Sequence, residues 1–113
     1  MGYYTHYKLQ VTGAAPELLP TIHQALSALE GARYALRLSV GPAVEYPSNE
    51  RVKWYEHEAD LRALSARFPG VLFTLSGEGQ EARDLWTAYH RDGLLQRVQA
   101  RIEFDPFDET RLA

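Results

Sequence analysis

The 113-residue chain has no cysteine. That excludes a disulfide framework, a thiolate nucleophile and any cysteine-based zinc site, and it suits a reducing compartment. Long apolar runs are missing too. Nothing approaches the roughly 18 consecutive apolar residues of a membrane span, and the opening MGYYTHYKLQ lacks the apolar stretch of a secretory signal. The chain is therefore expected in the cytoplasm and away from membranes. A net charge of −3 leaves no excess of positive charge for neutralising phosphates. Chemical motifs are scarce. Ser27, Ser39, Ser48, Ser65 and Ser76 do not sit in nucleophile elbows, and no histidine pair has the helical spacing of a zinc motif. No cofactor, no metal and no enzymatic activity are expected.

What is present describes one ordinary domain. Apolar residues make up 45% and charged residues 24%, which is enough for a single core over residues 1–113 with a polar tail at 105–113. Residues 3–11 alternate, with Tyr3, Thr5, Tyr7, Leu9 and Val11 on one face of a strand. Ile22, Ala25, Leu26 and Leu29 form a helical stripe. Pro20 places the regular helix after a turn at 16–19, and Gly31 is its expected C-terminal cap. Residues 33–40 alternate again, predicting a second strand, and 41–49 form a turn-rich loop. A short edge strand is expected at 52–55. Leu61, Leu64 and Phe68 predict a helix over 57–68, stopped by Pro69-Gly70. Three strands follow, at 71–76, 84–91 and 94–104. Gly77-Glu78-Gly79 is expected to break the first of them, and Asp92-Gly93 is a type I′ hairpin signal between the other two. In the last strand Leu94, Val98, Ala100, Ile102 and Phe104 are expected to face the core, and Arg97, Gln99, Arg101 and Glu103 to face water. The predicted fold is α+β: a ferredoxin-like two-layer sandwich, an antiparallel sheet with two helices on one face and a C-terminal β-hairpin extension.

Four constellations could carry function. His57, between Glu56 and Glu58, could serve a metal or proton-transfer site. It also lies on the stripe of Leu61 and Leu64, which fits a partly buried histidine held by a carboxylate. Gly77-Glu78-Gly79 is not a phosphate loop, because Glu78, Glu81 and Asp84 would repel an anion and no helix follows. It reads as a solvated turn or a place for a partner's basic surface. Trp54 and Trp86, with Tyr55 and Tyr89, are either core or an interface. Trp86 is out of phase with Leu85 and Tyr89, so one set faces away from the helices. Arg97 and Arg101, with Arg37 and Arg91, could line that open face beside Trp86 and hold single-stranded nucleic acid, although no RNP-type motif is present.

Several segments together carry a resemblance: 2–5 (GYYT), 53–58 (KWYEHE), Pro69, 71–73 (VLF), 77–79 (GEG) and 84–86 (DLW). In these the chain resembles a group of small bacteriophage and prophage proteins. More distantly it is similar to the YubB-type ferredoxin-like proteins of mobile elements. Residues 31–51 lie outside the resemblance, and Ala82-Arg83 stands where a Ser-Gly-like pair belongs. The resemblance implies the fold and a phage origin, and it says little about chemistry.

The expected function is therefore that of a phage accessory protein that binds a host protein, as inhibitors of bacterial defence systems (anti-CRISPR-like proteins) do. The expected contacts are Trp54, Glu56, His57, Glu78, Glu81, Asp84 and Trp86. The alternatives are a nucleic-acid module using Trp86, Arg97 and Arg101, and a metal-binding or enzymatic domain centred on His57. A homodimer through the strands of residues 84–104 is a further expectation.

Overall fold

The first strand, β1 (Thr5–Thr12), buries Thr5, Tyr7, Leu9 and Val11 and turns its other face outward. This is the half-buried alternation expected of it. The computed structural model describes residues 4–80 and 84–113, so Tyr3 of that strand lies outside the described residues. After a 3-10 turn at Pro16–Leu18, α1 (Leu19–Ser27) carries Pro20 in its first turn and buries Ile22, Ala25 and Leu26.

Residues 33–40 do not form a strand. They are divided between α2 (Glu30–Ala35) and a 3-10 turn at Leu38–Val40. Ala32, Ala35 and Leu36 are buried at helical spacing, while Tyr34 and Val40, which the alternation pointed inward, are exposed. Burial of the small alanines outweighed the larger, alternating side chains. Gly31 is likewise not a cap but part of α2. The strand between the helical segments comes later, as the two-residue β2 (Glu45–Tyr46), paired with β1 through Leu9 and Gln10. Tyr46 is fully buried. Its hydroxyl accepts the Ala43 N–H at 3.2 Å and shares a hydrogen bond with His23 Nδ1 at 3.2 Å. At 52–55 there is only an isolated bridge between Val52 and Thr5.

Helix α3 (His57–Arg67) buries Leu61, Leu64 and Ser65. It packs on β3 (Leu72–Gly79), β4 (Leu85–Arg91) and β5 (Leu94–Gln99). The sheet order is β2-β1-β3-β4-β5 with every pairing antiparallel. The result is an α+β layer of helices on one side of an open five-stranded sheet. No described helix is long and apolar enough to cross a membrane.

The hairpin between β4 and β5 fixes the sheet's outer half. Asp92 (φ 52°) and Gly93 (φ 79°) both adopt left-handed conformations, the type I′ geometry the sequence signalled. The Asp92 carboxylate also accepts the Gly70 N–H at 2.9 Å. Asp92→Ala is expected to lower the unfolding free energy by about 1–2 kcal/mol, through left-handed strain and the lost acceptor. Urea denaturation checks this; an unchanged midpoint would contradict it. The two-residue turn pairs Arg91 with Leu94 and therefore buried His90 with Leu95. Leu95, Arg97 and Gln99 consequently face the helices, and Leu94, Gln96 and Val98 face outward. That is the reverse of the expected facing. Strand facing has period two, so a register set by the turn decides every side chain at once. The strand also ends at Gln99, five residues short of Phe104.

Candidate functional site

The residues that looked chemically active in the sequence gather behind the sheet. Tyr7 of β1 meets Trp54 edge-on at 5.6 Å between ring centroids and Trp86 at 6.1 Å. His57, at the start of α3, stacks on Trp86 at 5.0 Å with an interplanar angle of 18°. The Arg97 guanidinium lies 4.5 Å from the centre of the Trp86 ring and reaches Glu58 of α3 at 3.2 Å. The Trp54 indole N–H donates to Asp60 Oδ2 at 2.8 Å. Trp54 and Trp86 are only 3% and 6% exposed, so neither is a surface anchor.

Each tryptophan is seated on a glycine. A β-carbon at Gly77 would overlap Cε2 and Cζ2 of Trp86, and one at Gly31 would overlap Cδ1 and Nε1 of Trp54. Gly77 pairs directly with Trp86 across the ladder, so the Gly-Glu-Gly segment runs inside β3 and does not break it. The indole fills the space the glycine leaves, a cross-strand arrangement that stabilises glycine in a sheet. The expectation of a solvated turn at 77–79 is corrected accordingly. Glu78 alone of the three is exposed.

Two histidines close the cluster. Burial pushes the His90 imidazole from 6.5 down to about 4, helped by the neighbouring His57 and opposed by Glu58. Burial lowers His57 as well, against the pull of Glu58 and with Arg97 assisting. His57 Nδ1 and both ring nitrogens of His90 are buried without a hydrogen-bond partner. The imidazoles therefore act as neutral rings packed among aromatics. Burial also raises the Tyr7 phenol above its ordinary value, with hydrogen bonds to Thr5 and the Trp54 backbone opposing that shift. Among the described residues no three metal-ligating side chains come together.

The exposed candidates collect at one end of the sheet. The register puts Thr5 beside Gly79, Glu78 beside Leu85, and Val52 beside Thr5. The Ala100 N–H donates to the Leu85 carbonyl at 2.9 Å, so the tail departs from the same end. Here Tyr55 is 73% and Tyr4 41% exposed, and Lys53 lies 4.8 Å over the Tyr4 ring. Glu56 and Glu78 are exposed and Asp84 half-buried. On the open face at this end lies a groove of about 580 Å³, lined by His6, Lys8, Arg51, Glu78, Leu85 and Val98 among others. His6 is held there by a 3.0 Å hydrogen bond to Ser48, and Lys8 by Glu45 at 3.3 Å.

Of the expected partner contacts, Glu56, Glu78 and Asp84 thus share one end of the molecule, while Trp54, Trp86 and most of His57 lie behind it. Glu81 lies outside the described residues. Of the expected nucleic-acid set, Trp86 is core, Arg97 is exposed but lies on the helix side beside Glu58, and Arg101 is exposed in the tail. The sequence reading passed over Tyr4 and Arg51. Tyr4 falls on the outward face of the alternating stretch, where it reads as ordinary strand surface, Arg51 follows a turn-rich loop with no pattern of its own, and only the sheet register brings them to one end. Compared with family models, curated proteins and solved structures, the chain matches none.

Proposed function

We propose that the protein binds a protein of a bacterial host through this end of the sheet, as a phage accessory factor directed at a defence system. The supporting observation is the grouping of exposed Tyr55 and Tyr4 with Glu56, Glu78 and Asp84 beside an open groove. Tyrosine supplies large, stiff contact area with a polar tip and is enriched at interfaces. The carboxylates favour a basic partner surface and speed its approach. Phage origin, and kinship with the YubB-type ferredoxin-like proteins, enter through the motif segments at 53–58 and 84–86.

The test is capture of partners from bacterial lysate by the immobilised chain, alongside a Tyr55→Ala/Glu78→Lys variant. Both side chains are exposed, so folding should be unaffected. The expected result is a protein retained by the native chain and lost at least roughly tenfold by the variant, equivalent to about 1.4 kcal/mol. No retained protein, or equal retention, would contradict the proposal. Single-stranded DNA and RNA are expected to show no retardation in a low-salt gel shift. Retardation abolished by Arg101→Glu would favour the nucleic-acid reading.

A further inference from the structure

The chain beyond β5 keeps the sequence of a strand after its partner has ended. Arg101, Ile102, Glu103 and Phe104 alternate polar and apolar, yet none is paired among the described residues. Ile102 is 46% and Phe104 84% exposed. The radius of gyration is 16.6 Å, against about 13 Å for a compact chain of this length, consistent with a tail that stands off the domain. Beside it, β5 is an edge strand, Leu94–Gln99, with no proline or lysine to discourage pairing.

We propose that β5 and residues 100–104 pair with the same segment of a second copy, antiparallel and centred on Ala100. The backbone permits this. Ala100 donates to Leu85, so even-numbered residues of β5 bond to β4, while Leu95, Arg97 and Gln99 direct their N–H and C=O outward. Centring on Ala100 sets Arg97 opposite Glu103 of the second copy, and Val98 opposite Ile102, each twice by symmetry. A shift to Gln99 would oppose Arg97 to Arg101, and a shift to Arg101 would oppose that residue to itself. The same register brings Phe104 opposite Gln96. There an open groove of about 390 Å³, in which Leu72, Tyr89 and Leu94 lie beside the polar Arg91, Asp92 and Gln96, can receive the ring. Arg97 keeps its ion pair with Glu58, since a guanidinium has donors for both carboxylates. The dimer joins two sheets edge to edge and covers only the β5 margin of each open face, leaving the side of the groove at His6, Lys8 and Arg51 uncovered.

Sedimentation equilibrium at up to roughly 0.5 mM, well above a micromolar Kd, is expected to give twice the 12.8 kDa monomer mass. Glu103→Arg, which sets arginine against Arg97, is expected to weaken association at least roughly tenfold. The absence of native cysteine allows a direct reading of register. Ala100 forms a non-hydrogen-bonded pair with itself, with Cα atoms about 4.5 Å apart, within disulfide range. Ala100→Cys should therefore cross-link to a second copy on mild oxidation, and Gln99→Cys should not. A monomer at all concentrations, an unaffected Glu103→Arg dimer, or cross-linking at Gln99 in place of Ala100 would each overturn the proposal.

Discussion

Gly77→Ala is expected to destabilise the protein by about 1–3 kcal/mol while Trp86 is present, and to be neutral or stabilising once Trp86 is alanine. The added methyl would occupy the volume of the indole six-membered ring, so tryptophan must leave its rotamer or the ladder must part. Without the indole the methyl is freed of its three nearest neighbours, all atoms of Trp86, and alanine gains over glycine by roughly 0.5–1 kcal/mol through lower unfolded-state entropy. Trp86→Ala alone should cost about 3–5 kcal/mol, since it empties a site that also supports Tyr7, His57 and Arg97. Urea unfolding of the two single variants and the double variant isolates the coupling. Simple additivity would mean that the glycine and the indole do not share one space. Gly31 and Trp54 repeat the arrangement on the helix side and should behave likewise.

Acid should destabilise the fold before most carboxylates titrate. Unfolded His90 takes up a proton near its ordinary 6.5, whereas the folded ring resists until about 4. Between those values the unfolded chain binds more protons, so stability falls as pH falls through that window and levels off below it. At 1.36 kcal/mol per pKa unit the loss amounts to about 3 kcal/mol, and His57 adds in the same direction. His90→Met removes the titration while keeping apolar volume. The difference between native and variant unfolding free energies should slope between pH 6.5 and 4 and be flat above pH 7. Parallel profiles would show that His90 is not held neutral by burial.

Both predictions concern residues whose types were conspicuous in the sequence and whose positions were not. The alternation of 5–11, the stripe of α3 and the Asp92-Gly93 turn were legible because each is a local pattern with one low-energy outcome. The turn even contained the information that reverses β5. A two-residue loop fixes the partner of every later residue, and counting forward from Arg91 and Leu94 places Leu95 inside. Residues 33–40 misled because Ala32 and Ala35 bury little area each, and helical spacing of small residues is quieter than alternation of large ones. Gly77 was illegible for another reason. A glycine that makes room for a distant indole looks, in one dimension, like a glycine that makes a turn. The same limit applies to the candidate contact surface, since Tyr4, Tyr55, Glu78 and Asp84 meet only through the pairing of β1, β3 and β4.

Both tryptophans face inward, while Tyr4, Tyr55, Glu56 and Glu78 face out. The chain has only two tryptophans, so their fluorescence reports on both. The folded protein should emit at the short wavelengths of buried indole, with iodide quenching far weaker than in urea. Adding the captured partner should leave that signal nearly unchanged. Emission and quenching typical of solvated indole in the folded protein would contradict the account and return Trp86 to the surface.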